Sequence, residues 1–232
     1  YFQKATQAYQ EILQNNLAAD SAVTAIMLRL IRCKRAQGSF EEAVALAQEV
    51  LATSPLSLDV QFEAAYTLAD WGAAPGGLPE KLLTSIEGID KVIWGWSGIT
   101  AKLQARQNSP DWKDLKSRFL EARLEYIRSR YRYAQTGAAD GKKQLQSGLA
   151  ETTIFAQVFT DLDDVWFAKF DKLYQGIQVA LGQPAVPLER PKPVELPPQN
   201  AAGNPDTAAT EEPDNSAAKN PTAESPPPTE GP

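Results

Sequence analysis

The chain contains no histidine in 232 residues and a single cysteine, Cys33. These absences exclude much chemistry. No Ser-His-Asp or Cys-His pair can form, no histidine-bearing metal site, and no disulfide within the chain. No apolar run approaches the roughly 18 residues that a membrane-crossing helix needs. Alternating β-type runs are nearly absent too, and Asp140-Gly141 sits among helix formers rather than between strands. The residues therefore offer no catalytic centre, no metal ligand set and no cofactor-binding motif.

What is present is unevenly distributed. Apolar residues make up 43% of the chain, enough for a sizeable core. Of 17 prolines, 13 lie in 183–232, a segment with no aromatic residue, Ile, Cys or Met and a net charge of −5. The low isoelectric point is thus largely a property of that segment. So little apolar surface cannot offset an ordering entropy of roughly 1–2 kcal/mol per residue. Residues 183–232 are expected to form a disordered, acidic, partly polyproline-like tail, with Pro184–Pro187 matching a PxxP pattern. Residues 1–182 are expected to form the folded part. The chain opens on Tyr1 within a helical pattern, which implies that the natural N-terminus lies upstream. The compartment is left open.

Helical periodicity dominates the first 182 residues. Helices are expected at about 1–16, 22–37, 40–53, 58–71, 78–93, 98–107, 111–136, 140–157 and 163–181. Gly38 and Gly72 are spaced as a 34-residue repeat requires, each after an apolar helix and each placed as a C-terminal glycine of positive φ. Ser39 then stands as an N-cap before Phe40, Ala43, Ala47 and Val50, which share one helix face. Phe2, Ala5, Tyr9 and Ile12 repeat those offsets, and Leu82, Ser85, Ile89 and Val92 restore them later. Along 111–136, Leu120, Leu124, Ile127, Tyr131 and Ala134 form one apolar stripe, and Phe119, Ala122, Tyr126 and Tyr133 an adjoining one. Glu121, Glu125, Arg128 and Arg132 make the remaining polar face.

The stretch 24–57 resembles a tetratricopeptide (TPR) repeat, with Gly38, Phe40, Ala43 and Pro55 in register and Leu30 matching on the first helix. Met27, Ile31 and Lys34 depart from the pattern. Residues 1–16 are similar to the second helix of a preceding repeat, and 58–72 to the first helix of the next, with Ala64, Ala65 and Leu68 at packing positions. Segments 58–93 and 111–157 are similar to degenerate helical hairpins, and 163–181 to a C-terminal cap. The whole resembles long bacterial proteins built of divergent repeats. The resemblance implies an all-α, right-handed solenoid of αα-hairpins, because one hairpin cannot bury its two apolar faces without stacked neighbours. It also implies a protein–protein interaction scaffold whose concave face is lined by first helices. Carried onto this chain, the partner-contacting positions are Leu28, Arg32 and Arg35, then Phe62, Tyr66 and Asp70. Such a groove suits an extended protein or peptide with acidic groups. The chain lacks the Lys and Asn combination of the carboxylate-clamp repeats. The alternative is a purely structural segment of a longer solenoid whose functional part is upstream.

Three other constellations have plain readings. Asp161, Asp163 and Asp164 precede an apolar helix, where carboxylates cap free N–H groups, and they lack the glycine and distal Glu of a calcium loop. Gly95-Trp96-Ser97-Gly98 has the wrong spacing for a nucleophile elbow and no histidine to activate the serine, so Trp94 and Trp96 are expected to pack under neighbouring helices. In 118–133, Arg123, Arg128, Arg130 and Arg132 interleave with Tyr126, Tyr131 and Tyr133, a pattern compatible with nucleic acid. The near-neutral folded part and the Glu residues at pairing distance weigh against it. Cys33 falls at a packing position and is expected to be a buried thiol.

Overall fold

The structure, a computed structural model, describes residues 1–190, and these form nine α-helices. They are α1 (Phe2–Gln14), α2 (Asp20–Ala36), α3 (Phe40–Thr53), α4 (Leu58–Ala73), α5 (Glu80–Glu87), α6 (Gly95–Gln104), α7 (Trp112–Gln135), α8 (Gly141–Val158) and α9 (Asp164–Ala180). The described residues contain no strand, only one isolated antiparallel bridge between Ile89 and Ile93. The fold is all-α.

Helix ends follow local chemistry. Gly38 closes α2 at φ 77°, its N–H donating to the Arg35 carbonyl at 2.9 Å while the Ser39 N–H donates to Lys34 at 3.0 Å. This pair of bonds satisfies carbonyls that the helix leaves open, and glycine takes the positive φ at no steric cost. Asn16, at φ 51°, closes α1 with the same pair of bonds. Two sequence expectations need correction here. Ser39 precedes α3 but its hydroxyl makes no capping hydrogen bond. Gly72 lies inside α4 and is there for space: a Cβ would stand 2.6 Å from the Leu82 Cγ and 2.7 Å from the Leu82 N. Only a hydrogen at that position lets α5 approach α4 so closely.

A third correction concerns 78–93. The helix stops at Glu87 because Gly88 turns to φ 87°. Ile89 and Ile93 then pair around a tight turn with Asp90 and Lys91 both at positive φ. Ile89 and Val92 fit a helical period but sit in a loop.

Each helix packs against its successor in the chain, and α2·α4, α4·α6, α5·α7, α4·α7 and α7·α9 also touch. No helix touches one more than three places along the chain. Two apolar clusters result. One gathers Met27, Ile31, Ala43, Ala47, Val50, Val60, Ala64 and Leu68; the other gathers Phe62, Trp96, Ile99, Phe119, Ile127, Phe155, Phe170 and Ile177 with their neighbours. Helix α4 belongs to both, since Ala64 and Leu68 face the first and Phe62 and Ala65 the second. Cys33 and Trp96 are buried. Phe40 is half-buried, its ring stacked 6.4 Å from that of Trp71.

The segment after α9 is ordered up to Arg190, against the expectation that the tail begins at 183. Residues 183–190 double back along α9. The Val186 N–H donates to the Gln178 Oε1 at 2.8 Å, and the Leu188 N–H donates to the Asp171 Oδ1 at 2.7 Å. Arg190 reaches Asp164 at 2.6 Å and covers the Phe167 ring. Alternate N–H groups thus face the helix, and Pro187, which has none to donate, falls between them. Leu188 is buried in the second cluster. The rest of the expected acidic tail, 191–232, lies outside the described residues.

Candidate functional site

Helices α2, α4 and α7 bring together a densely charged face. Its deepest member is Glu63 on α4, 4% exposed. A buried carboxylate needs partners, since desolvation otherwise costs several kcal/mol. It has two. The Arg32 Nε donates to Glu63 at 3.0 Å and the Arg35 Nε donates at 2.6 Å. Both arginines lie one helical turn apart on α2. Arg35 also donates through Nη1 to Asp70 at 2.6 Å and lies over the Tyr66 ring at 5.6 Å. Burial works against the Arg35 charge, but the bonds to Asp70 and Glu63 outweigh it and hold its pKa above the ordinary value.

Helix α7 supplies the other half. Glu125 is 6% exposed and accepts a hydrogen bond from Arg128. Burial pushes its carboxyl above the ordinary carboxylate range, while Arg128 and Arg132 pull it back. Tyr66 donates to Glu121 at 2.5 Å, and burial, reinforced by that bond, raises its phenol strongly. Arg132 approaches Asp70 only to 4.0 Å, beyond hydrogen-bond distance. Asp70 therefore stands between guanidiniums of two helices, one tightly bound and one loosely.

The charges are layered. The carboxylates of Glu63 and Glu125 form the floor, whereas the side chains of Arg32, Arg132 and Asp70 remain 54%, 37% and 39% exposed. The formal charges nearly cancel, yet the layer that meets solvent is mostly guanidinium. At the C-terminal ends of α4 and α7, a polar cleft of about 710 Å³ opens, with Asp70, Arg132, Gln135 and Thr136 on its wall beside the 74–79 loop.

Of the positions expected from sequence, Arg32, Arg35, Tyr66 and Asp70 meet in this network. Phe62 does not reach the open face. It is 4% exposed, packed edge-on against Trp96 with ring centroids 5.6 Å apart, and roofed by Arg118 at 4.4 Å. Leu28 is half-buried at the edge of the first apolar cluster. The sequence reading omitted Glu63, Arg128 and Arg132 from the site, and placed Glu125 on an exposed polar face where the structure buries it. A partial signal existed: Glu121, Glu125, Arg128 and Arg132 recur at helical spacing along one side of α7.

Arg123 and Arg130 on α7 turn to α8, whereas Arg118 pairs with Asp59 on α4. Arg130 donates to the Tyr126 hydroxyl at 2.7 Å, and Tyr126 donates to Glu151 at 3.0 Å. Arg123 and Arg130 stand 3.9 and 3.7 Å from Glu151. The acidic trio at the start of α9 divides its tasks. Asp163 caps the helix by accepting from the Trp166 N–H at 2.8 Å, whereas Asp161 pairs with Lys116 and Asp164 with Arg190. Among the described residues, no group of three or more acidic or cysteine side chains could hold a metal ion, and no helix is long and apolar enough to cross a membrane. Comparison with protein-family models, with curated proteins and with solved structures gives no match in any of the three.

Proposed function

We propose that this chain is a non-enzymatic protein–protein interaction scaffold, a TPR-like right-handed solenoid of αα-hairpins that receives a partner polypeptide on the face of α2, α4 and α7. The observation that carries the reading is the layered network on that face. Three helices that are not consecutive in the chain align their charged sides there, with Arg32 the most exposed and Arg132 and Asp70 alike in exposure. The sequential packing of helices supports the stacked arrangement, because no contact reaches beyond three helices. The 34-residue spacing of Gly38 and Gly72 and the TPR-like residues of 24–57 support it further.

A second reading keeps the stack but makes it purely structural. It is favoured by the pairing of Arg35 and Arg128 with the chain's own carboxylates. Nucleic acid is the weakest reading, since Arg123 and Arg130 turn to Glu151 and no open aromatic platform accompanies Arg32 and Arg132.

The test is capture of a polypeptide by the immobilised protein, repeated with variants of the rim. Arg35 and Arg128 are unsuitable, because Arg35 ties buried Glu63 to Asp70 and Arg128 is the hydrogen-bonded partner of buried Glu125, and breaking such a pair costs about 3–5 kcal/mol. Arg32→Gln with Arg132→Gln removes one of the two bonds to Glu63 but leaves Arg35 bonded to both Glu63 and Asp70. The scaffold reading expects captured polypeptide that this double variant loses while its melting transition stays cooperative. Capture that is equal in both proteins, or absent from both, leaves the structural reading.

A further inference from the structure

We propose that the cleft between the ends of α4 and α7 accepts an acidic side chain of an extended polypeptide, with Arg132 as its cation and Asp70 as a resident competitor for the same place. This rests on the reading of the α2–α4–α7 face as the docking surface, and names what that surface takes.

The geometry is specific. Asp70 and Arg132 line one cleft of about 710 Å³ together with Gln135 and Thr136. The carboxylate of Asp70 is fully engaged on one side by Arg35 at 2.6 Å and left 4.0 Å from Arg132 on the other. Arg132 is thus a part-exposed guanidinium on the cleft wall, with no carboxylate hydrogen-bonded to it among the described residues. A fork of N–H donors in that position binds a carboxylate through two parallel hydrogen bonds. Arg35 stands behind Asp70, so an arriving carboxylate meets a second positive charge. Asp70 opposes it twice, by like charge and by already satisfying Arg35. It sets a threshold that a single weak acid does not cross and a run of acidic side chains does.

A polypeptide fits better than a nucleic acid. Phosphates repeat without gap along a strand, and each would face Asp70 or Glu121 as well as arginine. Bases would find no stacking surface, because Phe62 is buried under Arg118, and Tyr66 lies under Arg35 with its hydroxyl given to Glu121. Acidic residues in a peptide can be spaced so that neutral ones pass the carboxylates.

The probe is a fluorescent decapeptide of alternating Glu and Ala, blocked at both ends, with its Gln counterpart and a single-stranded DNA of equal charge as comparisons. Binding is read by anisotropy at low and high salt. The Glu peptide is expected to bind and the Gln peptide not, with affinity falling as salt rises. Arg132→Gln is expected to lose roughly tenfold, since a bidentate carboxylate contact is removed. Asp70→Asn is expected to gain roughly two- to fivefold, the scale of one part-exposed charge interaction. Weaker binding by Asp70→Asn at an unchanged melting temperature overturns the proposal. So does equal binding of Glu and Gln peptides, tighter binding of DNA, or no binding of the Glu peptide. Should Asp70→Asn unfold, Arg132→Gln decides alone, because Arg132 makes no tight pair. A polypeptide partner still captured by Arg132→Gln would remove this site and leave the scaffold reading standing.

Discussion

At the scale of single residues, burial decides which charges act and which merely hold others in place. Glu125 is the clearest case. Its folded-state pKa is raised by burial, so the folded chain keeps the proton to a higher pH than the unfolded chain does. Stability linked to this group is fully present below the ordinary carboxylate range and is lost as pH rises from there through the folded value. The charged groups that face it are Arg128, Arg132 and Glu121 on its own helix and Asp70 on α4. Glu125→Gln keeps the shape and removes the titration. Thermal melts from pH 4 to 8 should therefore show Glu125→Gln losing less stability than the parent chain as pH rises out of the ordinary carboxylate range; an unchanged slope would mean that Glu125 carries no shift. The Asp90–Lys91 turn is a second case. Both residues hold positive φ, at 47° and 62°. A left-handed conformation costs a side-chain-bearing residue about 1–2 kcal/mol, and glycine gives back about 0.5–1 in entropy. Lys91→Gly should raise the denaturant midpoint by the equivalent of about 0.5–1 kcal/mol, and a fall would show that the turn is held by the Lys91 side chain instead.

At the scale of elements, what the sequence discloses depends on whether a pattern has one structural meaning. Helices α2, α3 and α4 are readable because their apolar period, Gly38 and the Ala64-Ala65-Leu68 face all agree. The early end of α5 is not readable, since Ile89 and Val92 keep a helical period while Gly88 turns the chain away. The charged face is half readable for the same reason. Arg32, Arg35, Tyr66 and Asp70 follow from the tetratricopeptide resemblance carried onto two helices, but a helical wheel cannot distinguish Glu63 or Glu125 on a buried floor from the same residues in water. Only the neighbouring helix decides that, and α7 joins after two irregular connections that break the period. The segment 183–190 was hidden by composition. Its prolines and lack of aromatics resemble the rest of the tail, yet Gln178 and Asp171 offer acceptors at the right places and Leu188 finds a cavity to fill. Leu188→Ala should cost about 2–5 kcal/mol in chemical denaturation, as truncation of a buried leucine does. A loss within 0.5 kcal/mol would place that segment among solvated residues.

At the scale of the whole described chain, contacts between near neighbours in sequence produce a molecule without a single central core. Helix α4 belongs to both apolar clusters, so damage there should spread in both directions, whereas damage to α1, which touches only α2, should stay local. In the proposed reading the polar side of the stack is free for recognition, because apolar seams between helices hold it together. Pairing buried Glu63 and Glu125 with arginines leaves those guanidiniums part-exposed on a near-neutral folded part. The most direct test of this account is site-specific photo-cross-linking. Benzoylphenylalanine replaces Arg29, exposed one turn before Arg32 on α2, in one protein and Ile154, an exposed residue of α8, in another. The account predicts a discrete polypeptide adduct from position 29, competed by the blocked Glu peptide, and none from position 154. Adducts from 154 alone, or equal adducts from both positions, would contradict it.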